Sequence, residues 1–282
     1  MKVLVTGATG FIGNHVVQEL LRYNDEVIAT SSNKNKAKSF SWFTQVTYLE
    51  LDLAQFDYSK DYYNFFNQPD VIIHLAWEGL PNYNSLFHIE QNLSRHYFLL
   101  KNLAFNGAKD ISVAGTCLEY GLKEGKLDEG LPSEPTNSYA IAKDTLRKNL
   151  EQLQQHTHFD LKWMRLFYMY GSGQNPNALF SQLEKALEEN EEVFNMSNGD
   201  QQRDYLPVDM AAEYIVSIAK QRKINGIINC CSGVPITIND LVEKFLKEKG
   251  KTIKLNKGYY PYPEYEPLNF WGDNTKLKNI IR

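Results

Sequence analysis

The chain has 282 residues, 43% hydrophobic and 23% charged, with a formal net charge of −4. This is ordinary globular usage, so a chain disordered or fibrous throughout is excluded. The 30 basic and 34 acidic side chains are scattered, with no basic stripe suited to nucleic acid, and no apolar run reaches the roughly 18 residues needed to span a bilayer. Three cysteines, with Cys230 and Cys231 adjacent, make no disulfide framework and suggest a reducing, cytoplasmic setting. The six histidines have no CxxC or HExxH company, so no metal site is expected.

Short apolar runs alternate with longer amphipathic ones. Lys2–Thr6, Glu26–Thr30, Val46–Leu51, Val71–Leu75, Ile111–Ala114 and Leu161–Leu166 read as buried strands. Phe11–Tyr23, Ser85–Asn106 and Ser138–His156 read as helices, and 31–45 as loop with at most a short helix. This alternation predicts an α/β fold, a doubly wound parallel sheet with helices on both faces. From Gly171 the pattern changes. A loop over 171–176 leads to a helix ending near Asn190, a short strand near Val193–Met196, and helices over Asp209–Lys220 and Asn239–Lys249. The proline- and tyrosine-rich stretch Tyr259–Pro267 should be extended, packing or lidding the protein. Two lobes are expected, 1–170 and 171–282, with some later segments returning to the first.

Gly7, Gly10 and Gly13 fall between the first strand and the first helix. Glycine reaches the backbone angles of such a turn cheaply, and a backbone without side chains can approach a pyrophosphate. The helix N-terminus then offers free N–H groups and a positive dipole end. Gly7, Thr9, Gly10, Phe11 and Ile12 are the candidate cofactor cradle. The second strand ends Thr30-Ser31-Ser32-Asn33-Lys34, without the acid that would bind a ribose 2′-hydroxyl. NADP(H) is therefore expected over NAD(H), with Ser31, Ser32 or Lys34 near the 2′-phosphate.

The TGATGFIG turn is one of several ordered segments. The others are Leu51-Asp52-Leu53, His74-Leu75-Ala76, the helix at Asn92, Arg203-Asp204-Tyr205-Leu206-Pro207-Val208 and Asp273-Asn274-Thr275-Lys276-Leu277. Over nearly the whole chain this resembles the extended short-chain dehydrogenase/reductases, also called the NAD-dependent epimerase/dehydratase family. The resemblance implies a Rossmann-type fold with a smaller C-terminal substrate-binding lobe. It places Asp52 at the adenine amino group and Leu53, Leu75, Ala76, Trp77 and Asn92 around the cofactor. It also implies a homodimer built on helices 85–106 and 138–156.

Two Tyr-x-x-x-Lys pairs occur, Tyr97/Lys101 and Tyr139/Lys143. Residues four apart share a helix face. Tyr97 sits in a core-like run, whereas Tyr139 opens a helix after the strand that ends at Thr116, at the sheet edge where ligands bind. A tyrosine of ordinary pKa, about 10, is too weak an acid–base group at neutral pH, and a neighbouring ammonium should lower it. By resemblance, Lys143 also holds the nicotinamide ribose. Thr116 and Tyr139 would grip a carbonyl, and Tyr139 would supply the proton.

The segment Gly115-Thr116-Cys117-Leu118-Glu119-Tyr120-Gly121 bears on the reaction. The related 4,6-dehydratases carry Asp and Glu where this chain has Cys117 and Leu118, and Leu118 cannot move a proton. The GDP-fucose synthase pattern of Cys and His is also not matched. What remains is 4-keto reduction or 4-epimerisation. The segments as a whole resemble dTDP-4-dehydro-6-deoxyglucose reductases, which supply dTDP-D-fucose for surface polysaccharide. The implied substrate is a nucleoside-diphosphate sugar, with Glu78, Cys117, Glu119, Tyr168, Asn175, Asn177, Phe194 and Arg203 around it. A non-catalytic NADP-binding regulator is the alternative of another class, and it would have no use for Thr116, Tyr139 and Lys143.

Overall fold

Alternation within the first strand decides how the sheet is covered. β1 (Lys2–Thr6) sends Val3 and Val5 into one hydrophobic layer and Leu4 into the other, because successive strand side chains point to opposite faces. The computed structural model describes residues 1–262 and 267–281. Of the proline- and tyrosine-rich stretch, 263–266 lie outside the described residues.

The main sheet adds β2 (Glu26–Thr30), β3 (Thr47–Tyr48), β4 (Val71–His74), β5 (Asp110–Thr116), β6 (Asp160–Leu166) and β7 (Gly226–Cys230). Its order is β7-β6-β5-β4-β1-β2-β3, with every pairing parallel. The winding reverses between β1 and β4, and such a switch point opens a crevice at the carboxyl ends of the strands. The expected doubly wound α/β fold is the one observed.

The longer helices are α1 (Phe11–Arg22), α2 (Leu93–Phe105), α3 (Ser138–Leu153), α4 (Leu179–Glu188), α5 (Val208–Lys220) and α6 (Ile238–Lys249). α1 and α5 cover one face, burying Val16, Val17, Leu20, Ile215 and Val216. α2 and α3 cover the other through Leu99, Leu103, Leu146 and Leu150. A π-helical turn, His88–Asn92, runs into α2. α4 and α6 enclose a separate small core containing Phe180, Leu183, Leu241 and Val242. None of the helices among the described residues is long and apolar enough to cross a membrane.

Three local outcomes differ from the sequence reading. The strand expected over Val46–Leu51 shrinks to Thr47–Tyr48 at the sheet edge, because Asp52 caps a tight turn at Leu53–Gln55 that leads the chain away. Gly226–Cys230, not recognised as a strand, pairs with β6 and returns the chain to the main sheet. Gln202–Pro207 is also a strand, set between Tyr168–Tyr170 and Pro235–Thr237 in a small sheet.

Asp204 anchors this later part. Its buried carboxylate accepts backbone N–H bonds from Ser232 at 2.7 Å, Gly233 at 2.8 Å and Gly272 at 3.2 Å. Removing the carboxylate leaves three donors without their acceptor, one buried and two half-buried, each worth about 1 kcal/mol. Asp204→Ala should lose about 3 kcal/mol in urea unfolding; an unchanged midpoint would contradict the anchoring role.

Candidate active site

The carboxyl ends of β1, β2 and β4 open onto a cavity of about 290 Å3. Gly7, Thr9 and Gly10 form one wall, Ser31 and Ser32 a second, and Leu53 a third. Leu75, Ala76, Trp77, Glu78 and Asn92 close the far side. Gly7 has φ +69°, and a Cβ there would meet the Ala76 nitrogen at 2.7 Å, so only glycine lets the turn approach β4 this closely. Gly10 caps α1 without a side-chain bond, which leaves first-turn N–H groups for an anion. Asn92 donates from Nδ2 to the Glu78 carbonyl at 2.9 Å, while its buried Oδ1 has no partner. A glycine cradle, an uncapped helix start and an unmatched acceptor fit a dinucleotide.

Other expected cofactor contacts are placed differently. The side chains of Phe11 and Ile12 turn elsewhere, Phe11 edge-on to His15 and Ile12 onto the core, so what these residues can offer a cofactor is their first-turn backbone N–H groups. Asp52 spends Oδ1 on the Ala54 N–H at 2.9 Å, and its neighbours Leu51 and Leu53 face the cavity instead. The Lys34 backbone N–H donates to Glu50 Oε1 at 2.7 Å, and Lys36 is the lysine that lines the cavity. The Ser31 hydroxyl bonds the Tyr48 hydroxyl at 2.8 Å.

Thr116 ends β5, and Tyr139 lies in the first turn of α3, which Asn137 caps by accepting the Ala140 N–H at 2.9 Å. Lys143 follows one turn later on the same face. Thr116 stands beside the Tyr139 phenol and favours its ionised form, against the burial that opposes it. Lys143 Nζ donates to the Ala114 carbonyl at 2.8 Å and lies 3.9 Å from the Trp77 ring centroid. Burial pushes the Lys143 ammonium down to about 7. The Tyr139 phenol is raised, first by burial and then by Tyr83, Glu119 and Cys117. The expectation of a lowered phenol is therefore corrected: the ammonium is directed at Trp77 and Ala114, and burial dominates at Tyr139. Tyr97, of the other pair, packs on the core, and Lys101 lies over Phe105.

Glu119 is also corrected. It is fully buried and accepts from the Thr116 N–H at 2.9 Å, Trp163 Nε1–H at 2.9 Å and Arg165 Nε–H at 2.9 Å. Burial raises its carboxyl, with Arg165 pulling the other way. It has no surface to offer a sugar; it fixes the backbone of Thr116 from behind. Phe194 is likewise buried in the small core under α4 and α6, so it offers no surface to the substrate expected around it. Cys117 belongs to a buried cluster with Tyr139 and Phe167. Tyr168 packs against Tyr205 and Phe270. Buried Arg203 donates to the Gln202 and Leu268 carbonyls and lies 4.6 Å from the Phe270 ring. Asn175 and Asn177 sit on an exposed loop, with Asn175 Oδ1 accepting the Asn177 N–H at 2.8 Å. Glu78 lies 3.8 Å from Arg95.

The sequence reading missed a histidine chain behind this site. Thr6 Oγ1 meets His74 Nδ1 at 2.8 Å, and His74 Nε2 meets His96 Nδ1 at 2.9 Å. His88, Asn92 and His96 are spaced four apart, and that common helix face was the available signal.

Glu119→Gln leaves Arg165 buried without its counter-charge and should destabilise by about 3 kcal/mol. A thermal midpoint equal to the parent's would contradict the pairing. His74 is fully buried, and burial lowers it to about 3. Below the unfolded value of 6.5 the unfolded chain binds the extra proton, so stability falls as pH drops from there toward 3, by about 1.4 kcal/mol per unit. Urea unfolding at pH 6.5 and 5 should show this loss, and His74→Gln should reduce it; an equal loss in the variant would contradict the assignment.

The family model described as "NAD dependent epimerase/dehydratase family" matches residues 3–231. The chain is 32% identical to the dTDP-6-deoxy-L-talose 4-dehydrogenase (NAD(+)) of Aggregatibacter actinomycetemcomitans, over 96% of this chain and 99% of that one. It is 26% identical to the UDP-glucose 4-epimerase of Bacillus subtilis (strain 168), over 90% and 84%. The UDP-glucuronic acid 4-epimerase from Bacillus cereus, solved with UDP-glucuronic acid and NAD, superposes with a TM-score of 0.84 at 24% identity, over 99% and 92%. On the extent of the family match and of the first relative, the chain belongs to the NAD-dependent epimerase/dehydratase family.

Proposed function

We propose that the protein is a nicotinamide-dependent oxidoreductase acting at C4 of a nucleoside-diphosphate 6-deoxyhexose, running as a 4-ketoreductase. The observation that carries this is the meeting of Thr116, Tyr139 and Lys143 beside the dinucleotide cavity. The dTDP-6-deoxyhexose class is supported by the name of the 32% identical relative. Reduction of dTDP-4-dehydro-6-deoxyglucose to dTDP-D-fucose is the specific reaction tested first. Dehydration is disfavoured on chemical grounds: Leu118 holds no proton, and Glu119 is locked to Arg165.

The bound nicotinamide would exchange hydride with the sugar carbon. Gly7, Thr9, Gly10 and the start of α1 would hold the pyrophosphate, and Lys143 the ribose. Thr116 would orient the sugar oxygen. Tyr139, with its phenol held protonated by burial, would donate the proton in the reductive direction. Arg203 and the 175–177 loop would meet the nucleotide diphosphate.

The preference for NADP(H) is given up for NAD(H). Glu50 places a carboxylate against the loop that follows β2, where it accepts the Lys34 N–H, and an acid at that loop opposes a 2′-phosphate. The 32% identical dTDP-6-deoxy-L-talose 4-dehydrogenase is also named for NAD(+). Homodimerisation through α2 and α3, a cytoplasmic setting and a place in polysaccharide supply belong to the same proposal. The names of several relatives favour a second reading, an NAD-retaining 4-epimerase.

The purified protein should oxidise NADH with dTDP-4-dehydro-6-deoxyglucose, more efficiently than NADPH, and faster than with GDP- or CDP-linked analogues. No net NADH consumption, together with tightly held NAD and interconversion at C4, would establish the epimerase instead. Tyr139→Phe should lower kcat by about a hundredfold or more while cofactor binding persists; unchanged turnover would remove Tyr139 from the mechanism.

A further inference from the structure

An ammonium taken out of water needs compensation. Lys143 is 2% exposed. Its hydrogen-bond partner is a neutral carbonyl, that of Ala114. The carboxylate facing it, Glu119, is already paired to Arg165. The other titratable groups around it are His74 of β4, His88 and His96 of the helix before and within α2, and Tyr139. The three histidines are all shifted toward the neutral form by burial.

What meets the charge is the face of Trp77, 3.9 Å from Nζ to the ring centroid. That indole is fixed on two sides. Its Nε1–H donates to His88 Nδ1 at 3.1 Å, and its ring stacks on His96 at 4.6 Å and 17°. His88 Nε2 lies 3.0 Å from the Asn82 carbonyl. It must carry the ring proton there, which leaves Nδ1 free to accept. Trp77 also stands edge-on to Tyr139 at 6.0 Å. A π face at this distance, out of water, attracts an ammonium appreciably.

We infer that Trp77 is a positioning residue: its indole, locked by His88 and His96, holds the Lys143 ammonium in its charged form, in place one ring away from Tyr139, through a cation–π contact. This rests on the proposed role of the Tyr139/Lys143 pair, and it assigns to Trp77 a task beyond lining the cavity.

The test changes the π face without changing its shape. Tryptophans bearing one, two or three ring fluorines are placed at position 77 of the full chain, and Lys143 is titrated in cofactor-free protein by NMR of lysine labelled with 13C at Cε. The signal is assigned by its loss in Lys143→Met. Each fluorine weakens the ring quadrupole, so the Lys143 midpoint should fall stepwise, by about one pH unit over the series. A midpoint constant across the series would overturn the inference, since a purely packing role is blind to fluorination. No turnover enters this readout. Failure of the wider reading would show instead as full activity in Tyr139→Phe.

Discussion

A lysine ammonium, a phenol and a threonine hydroxyl are held out of water at the carboxyl edge of a parallel sheet. That burial is the constraint around which the site is arranged. It raises the phenol, depresses the ammonium, and demands partners that do not neutralise it. A carboxylate in contact with Lys143 would satisfy the charge and divert it from a cofactor. The site instead uses a backbone carbonyl and an aromatic face, and it gives the one acid in the Thr116 turn its own arginine behind the strand.

The same economy explains the layered support. Glu119 holds the Thr116 backbone, Trp163 and Arg165 hold Glu119, and Arg165 lies over Tyr120. On the other side, Thr6, His74 and His96 link β1 and β4 to α2. The histidines make these links as neutral rings, so they add no like charge beside Lys143. Thr116, Tyr139 and Lys143 thus rest on a strand end and a helix start, while the 175–177 loop stays exposed.

Much of the fold was legible because its signals are local. Lys2–Thr6 and Glu26–Thr30 were read with their observed bounds, since a three-residue apolar centre between a charged start and a threonine, followed by a turn, has few other solutions. Val46–Leu51 was over-read because a turn capped by Asp52 outcompetes an edge strand. Gly226–Cys230 was missed because a five-residue strand that starts on a glycine and ends on a cysteine carries little periodicity; its pairing with β6 is tertiary. In the site, the glycine turn, Thr116, Tyr139 and Lys143 followed from position along the chain. Glu119 and Phe194 were misplaced because nothing local tells a buried, satisfied side chain from one facing a ligand. The lowered phenol was a pairwise argument, and desolvation, which depends on the whole site, reversed it.

The central claim is hydride exchange between a nicotinamide and the sugar C4 with Tyr139 as proton donor. Its most direct measurement is the fate of deuterium. NADH carrying deuterium at the transferable C4 position is incubated with enzyme and dTDP-4-dehydro-6-deoxyglucose, and the product is read by NMR and mass spectrometry. The account predicts one deuterium at sugar C4 and stoichiometric NAD in solution. Unlabelled sugar, with the deuterium left in the cofactor, would contradict it.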